Sequence, residues 1–260
     1  MYSFAIKVDQ PFERLANAPI VEAVLDFRVP PISEWDNELV TQNLKTALPD
    51  YPQLQSQRAW QANIQANVET LPVATTQELG WHGVLARNSD GSQVAQFQRS
   101  GFAFSRLKPY LGWLHFQKEA LRLWDIYQSI VQSAFIVRIG LRSINRIDVP
   151  STTGSIELDY WLTAPPTSPP NLGLPHAGFY HTDTYLIPGT SYTTNLIRTI
   201  DTSGVGVTHI AGLIIDIDVF SDVVADNYES LIKQLDEMRW VKNKLFFSTI
   251  TPQAKVDFQK

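Results

Sequence analysis

Phe135-Ile136-Val137-Arg138-Ile139-Gly140-Leu141-Arg142-Ser143-Ile144-Asn145-Arg146-Ile147-Asp148 decides how the rest of this chain is read. Side chains alternate between the two faces of a strand. Phe135, Val137, Ile139 and Leu141 therefore share one face. Arg138, Arg142 and Arg146 share the other, with Gly140 between them. Such a strand has two readings. The arginines form the solvated outer face of an antiparallel sheet, or they form a face that binds an anion or a partner.

Two further stretches carry the same signature. From Pro19 to Val29, residues Val21, Ala23, Leu25, Phe27 and Val29 alternate with Glu22, Val24, Asp26 and Arg28, and Pro30-Pro31 ends the ladder. From His209 to Phe220, residues Ala211, Leu213, Ile215, Ile217 and Val219 alternate with Gly212, Ile214, Asp216, Asp218 and Phe220. Helices covering the apolar sides leave the charged sides together on the opposite side of the sheet. Arg138 or Arg142 is then expected to reach Asp216 or Asp218, each exposed cross-strand pair contributing roughly 0.2–1 kcal/mol.

The remaining elements fill in around these strands. Ser33 reads as an N-cap, opening a helix that runs to about Leu48 with Leu39, Val40, Leu44 and Leu48 on one stripe. Strands are expected at Arg58–Glu69 and Gly80–Arg87, with a loop around Pro72 between them. A hairpin turn at 88–92 follows, and then one long strand over Gln93–Leu107 with a bulge at Gly101. A helix covers about Leu114–Gln132. Beyond the arginine strand, Ser155–Leu162 fits a short helix or a strand. Ala164–Pro175 holds five of the sixteen prolines and reads as a surface loop. His176–Ile187 and Ser191–Ile200 form a hairpin joined at Pro188-Gly189, and 201–206 is a turn. Asp226 or Asn227 caps a long helix to about Phe247, and Thr251-Pro252 opens a short terminal one. The first half, about 18–132, reads as strand, helix, three strands, helix, and the second, about 135–250, as strand, short element, three strands, helix. The expected fold is one α+β domain over 1–260: a largely antiparallel curved sheet, long helices on one face, and pseudo-duplicated halves.

Composition narrows the classes. At 260 residues and 44% hydrophobic, the chain can bury a large core without staples. A net charge of -5 argues against a general nucleic-acid binder. With no cysteine there is no disulfide, thiolate metal site or cysteine nucleophile. No run approaches ~18 apolar residues and the N-terminus lacks a secretory pattern, so a cytoplasmic setting and no membrane partner are expected.

Several constellations invite chemistry. His176, His181 and Asp183 combine metal-ligand types, but on a strand the spacing puts the two histidines on opposite faces. Asp216 and Asp218 share a face and could hold Mg²⁺ or act as an acid–base pair, given a third carboxylate such as Asp148 or Glu22. There is no G-x-S-x-G elbow and no Walker loop, and Gly204-Val205-Gly206 lacks the third glycine of a dinucleotide fingerprint. Trp35 and Trp240 are the better interface candidates among the tryptophans. Lys233, Arg239, Lys242 and Lys244 make a basic helix end that complements the helix dipole.

Three stretches together resemble a sporadically distributed bacterial family of uncharacterised proteins of about this length. They are Ala18-Pro19-Ile20-Val21-Glu22-Ala23-Val24, Arg138-Ile139-Gly140-Leu141-Arg142-Ser143-Ile144-Asn145-Arg146-Ile147 and Lys242-Asn243-Lys244-Leu245-Phe246-Phe247-Ser248-Thr249-Ile250-Thr251. The middle motif departs from the family at Ser143, where an aromatic is usual. The resemblance implies a bacterial or mobile-element protein of accessory distribution and no established activity, cofactor or catalytic residue.

The functional expectation is a non-catalytic interaction protein whose charged sheet face binds a protein partner or a small anionic ligand. Arg138, Arg142, Asn145, Arg146, Asp216 and Asp218 are the binding candidates. No catalytic residue, metal ligand or cofactor is assigned. Arg146, near the strand end, is the first choice for an arginine left without a carboxylate. A nucleic-acid-associated factor using the same arginines is the alternative, and a metal-assisted hydrolase built on Asp216 and Asp218 comes third.

Overall fold

A computed structural model of the chain describes residues 4–67, 70–132, 135–150, 156–169, 171–172, 174, 178–201 and 210–260, with the backbone alone over 59–79. His176, the turn at 202–206 and part of the proline-rich loop lie outside them. In chain order the elements are β1 (Ile20–Arg28), α1 (Asn37–Ala47), β2 (Gln53–Asn67), β3 (Thr70–Arg87), β4 (Gln93–Gln98), β5 (Gly101–Leu107) and α2 (Trp113–Val131). There follow β6 (Arg138–Pro150), α3 (Leu158–Trp161), β7 (Tyr180–Leu186), β8 (Thr193–Asp201), β9 (Ile210–Ser221), α4 (Tyr228–Thr249) and α5 (Pro252–Asp257). The fold is α+β, with a nine-stranded, open, antiparallel sheet in the order β2-β3-β4-β5-β1-β6-β9-β8-β7. No helix among the described residues is long and apolar enough to cross a membrane. The chain forms two compact units, one of residues 26–106 and 111–136 and one of 1–25, 107–110 and 137–260.

In the unit of residues 26–106 and 111–136, three local expectations are corrected. The first concerns the loop at Pro72, because β3 continues through that position, with its pairing to β2 irregular between Val73 and Thr70. The β3–β4 ladder covers only Gly83–Arg87, whereas β2 pairs along nearly all of β3. A strand tolerates proline where only one side of it is paired. The second concerns the single strand Gln93–Leu107. It is a hairpin, with Gln98 opposite Gly101 and Arg99-Ser100 as its two-residue loop. Gly101 has φ 154°, and a Cβ there would press on the Phe27 carbonyl and lie 3.1 Å from the Arg28 Cα. The glycine therefore marks a close backbone approach at a turn, and not a bulge. The third concerns the cap of α1, which is Asp36, three residues beyond Ser33. Its carboxylate accepts from the Glu38 amide at 2.9 Å and the Leu39 amide at 3.0 Å, satisfying two of the helix's open donors.

The core of this unit is aromatic. Helix α2 turns Phe116, Trp124 and Tyr127 inward. Trp124 meets Phe27 edge-on at 4.8 Å and Phe116 stacks on Phe104 at 5.4 Å. Such pairs add roughly 0.5–1.5 kcal/mol beyond the area they bury.

The other unit is built on β6, β9, β8 and β7 in that order. Arg142 lies opposite Asp218, Ile144 opposite Asp216 and Arg146 opposite Ile214. Ile139, Leu141, Ile147 and Val149 of β6 share one face with Leu213, Ile215, Ile217 and Val219 of β9, and all are buried. Helix α4 packs on these two strands, turning in Leu231, Leu235 and Met238. Asn227 caps α4, accepting from the Ser230 amide at 2.9 Å. Thr251 caps α5, with Pro252 at its first position. Residues 158–161, left between helix and strand by the sequence, form the short helix α3. Trp240 is 4% exposed, with Phe4 at 5.8 Å and Phe12 at 6.0 Å. It is a core residue, which removes it as an interface candidate. Trp35 is half-buried and donates to the Asn37 side chain at 3.3 Å.

Candidate functional site

The arginine face forms because residues two apart on a strand share a side, and because the β6–β9 register sets them against acidic partners. Arg142 donates through Nε to Asp216 Oδ1 at 2.8 Å and through a terminal nitrogen to Asp216 Oδ2. This fork matches a carboxylate edge-on. Arg138 approaches Asp218 at 3.8 Å and Asp222 at 4.0 Å, and its guanidinium lies 4.6 Å from the Phe220 ring centre. Both contacts expected from sequence, arginine to Asp216 and arginine to Asp218, are therefore present.

Arg146 is not left without a carboxylate. It donates to Asp148 at 3.0 Å and to Asp201 at 2.5 Å, which overturns its selection as the unpaired arginine. Its guanidinium also fills the space over Gly212, where any Cβ would collide with it. The cation of Arg142 is strengthened by its bond to Asp216, against the cost of burial, and Arg146 by its bond to Asp201. Glu22 adds to the negative field at Arg142.

Asn145 does not join this group. It sits one residue out of phase, on the buried face, and donates to the Ile215 carbonyl at 3.0 Å. Among the binding candidates, then, Arg138, Arg142, Arg146, Asp216 and Asp218 share a face and Asn145 lies behind it. Asp148 and Asp201 belong to the same ion-paired surface. The i+2 spacing of Asp148 from Arg146 signals its membership, whereas the placing of Asp201 depends on the β8–β9 register.

His181 and Asp183 do meet, at 3.0 Å, on the opposite face of the sheet from the arginines of β6. Asp183 also accepts from Arg198 at 2.9 Å, and Arg198 donates to the Ala164 carbonyl at 2.7 Å. Burial raises the Asp183 carboxyl, but His181 and Arg198 together hold it below the usual carboxylate range. Arg198, nearly buried, has no counterpart in the sequence reading, because one arginine in an alternating strand carries no signal of its own. No group of three or more His, Asp or Glu able to hold a metal occurs among the described residues. A pocket of about 570 Å³ is lined by residues 156–160 and 165–168 and by none of the arginines or aspartates of the charged face. No family model matches the chain, and no curated protein matches it.

Proposed function

We propose that the chain is a non-catalytic interaction protein of the bacterial cytoplasm that binds another protein through the charged face of β6, β9 and β8. One observation carries this reading: the three arginines of β6 are each engaged by carboxylates. Glu22, Asp148, Asp201, Asp216, Asp218 and Asp222 surround Arg138, Arg142 and Arg146. A surface that binds phosphates needs a cationic excess, and this one is acidic. The small-anion and nucleic-acid readings are correspondingly weaker. A mosaic of opposite charges suits a protein partner of complementary pattern, for which such groups set register and encounter rate. Asp148 and Asp222 have side chains 65% and 78% exposed, so they are open to a partner. The hydrolase reading is weakened by Asp216, whose two oxygens are both taken by Arg142.

We also read the halves 18–132 and 135–250 as a duplicated motif. Each begins with a strand followed by a helix. The first then runs through four strands, where the sequence pattern suggests three, and the second through three; in each the last strand neighbours the first, β5 beside β1 and β9 beside β6.

The test is affinity capture from the native host with the wild-type chain and with Asp148→Lys/Asp222→Lys. A partner held by the wild type and lost by the variant is expected, and equal capture by both refutes the face as the binding surface. Binding to mixed DNA and RNA should be undetectable at ~50 mM salt, where phosphate contacts are strongest. Measurable binding there reverses the order of the two readings.

A further inference from the structure

The edge strand β7 reads Tyr180-His181-Thr182-Asp183-Thr184-Tyr185-Leu186, and among the described residues no strand pairs with its outer side. Natural edges are guarded by lysine, proline, a bulge, an inward-pointing charge or a covering loop. β7 has no lysine, no proline and no register shift against β8, and its one inward-pointing acid, Asp183, is already paired with Arg198 of its own chain. Six of its seven residues are exposed, and its end residues are apolar: Tyr180 is 71% exposed and Leu186 77%.

The hydrogen-bonding phase of the strand is fixed by its neighbour. Ile187 donates to the Tyr192 carbonyl, and Ile200 donates to the Phe179 carbonyl. With the register Tyr180 opposite Thr199 through Leu186 opposite Thr193, the odd-numbered residues of β7 face β8. In an antiparallel ladder the hydrogen-bonding groups alternate between the two sides. The amides and carbonyls of Tyr180, Thr182, Thr184 and Leu186 therefore point outward.

About its central residue, Asp183, β7 carries threonine on both sides, then histidine against tyrosine and tyrosine against leucine. A two-fold axis at Asp183 would set Thr182 opposite Thr184 of the second copy, and Tyr180 opposite the second copy's Leu186. Every residue so paired is even-numbered and has its backbone groups turned outward, so each pair can exchange two hydrogen bonds. Tyr180 and Leu186 lie on one face and would cover each other at both ends. His181 would face the second copy's Tyr185 on the other face. The one like-charged pair is Asp183 with its symmetry mate. Each of these carboxylates is already held by Arg198 and His181 of its own chain.

We infer that β7 pairs antiparallel with β7 of a second copy of this chain, joining two sheets across a two-fold axis centred on Asp183. Strand parity allows a two-fold centre on any residue of β7, and the centre on Asp183 is the one that pairs all seven of its residues. The pairing uses the backbone edge of β7, whereas the proposed function rests on side chains of β6, β9 and β8, so the inference does not depend on that reading.

The test follows the oligomeric state of the full chain by sedimentation from low to high micromolar concentration. The wild type is expected to reach twice the chain mass. Tyr180→Lys with Leu186→Lys sets lysine against lysine at both ends and should remain monomeric. Tyr180→Lys with Leu186→Glu sets lysine against glutamate and should restore the dimer. Both variants alter exposed side chains, so their circular dichroism should match the wild type. In the wild type, the Thr182 and Thr184 amides should gain protection from hydrogen exchange as concentration rises. A wild type that stays monomeric, a lysine–lysine variant that still dimerises, or threonine amides that exchange freely in the dimer would each overturn the inference.

Discussion

Removing Arg142 tests whether the charged face is held by its own pairs or is only solvated. Arg142 gives two charge-assisted hydrogen bonds to Asp216, with side chains 45% and 9% exposed respectively. Each such bond contributes roughly 1.5–3 kcal/mol when its partner has no alternative. The asymmetry of exposure sets the discount. Water can take over the freed guanidinium, but it reaches the buried carboxylate poorly. The coupling should therefore lie above the exposed-pair value of about 0.5 kcal/mol and below that of a fully buried pair, at about 2 kcal/mol. Arg142→Ala strands the carboxylate and should cost about 3 kcal/mol, while Asp216→Ala lets the arginine turn to solvent and should cost about 2 kcal/mol. The double variant should cost no more than Arg142→Ala alone. Urea unfolding of the four proteins measures the cycle, read from midpoints at unchanged m. A coupling below about 0.5 kcal/mol, or one abolished by moderate salt, would show the fork to be a screened surface contact and refute the reasoning.

Two further outcomes are expected. Burial, and then the charge of Arg239, push the Lys242 ammonium from 10.5 down to about 8. Below pH 8 both folded and unfolded chains carry the proton, and the unfavourable contribution is fully present. As pH rises from 8 towards 10.5 the unfolded state binds more protons than the folded one, so stability rises. Lys242→Met should stabilise at pH 7 by on the order of 1–3 kcal/mol, with the gain shrinking towards pH 10.5; unfolding midpoints at the two ends measure it, and a constant difference contradicts it. Gly83→Ala would drive its methyl onto the Phe97 carbonyl and to 2.8 Å from the Gln98 Cα, both backbone. With no side chain able to swing away, the cost should be about 3 kcal/mol, read as a lowered unfolding midpoint.

Where one period governed a stretch, the sequence was readable. Alternation in β1, β6 and β9 placed their buried faces, and the Arg142–Asp216 contact followed from two such faces meeting. The same rule applies to Asn145, whose odd position puts it behind the arginines. Asp148, two residues from Arg146, was readable on that rule too. The break at Gly101 was not, because a glycine in an alternating run signals bulge and hairpin alike until the neighbouring strand is known. Pro72 misled for a related reason: its missing donor matters only if a strand pairs on that side. Asp201 reaches Arg146 through the β8–β9 register, and register across a long connection is invisible in local pattern. Arg198 and Asp183 meet within the hairpin of β7 and β8, where a one-residue change of register would part them.

Gly212 and Arg146 amount to a single heritable choice. The guanidinium occupies the volume that a side chain at 212 would need. A related chain that acquires alanine there would have to shorten or redirect residue 146. Asp148 and Asp201 would then face each other without a cation between them, and at least one would be expected to change as well. Across related chains, a side chain at position 212 should therefore go with a shorter or redirected residue 146, and with a change at 148 or 201 where the cation is lost.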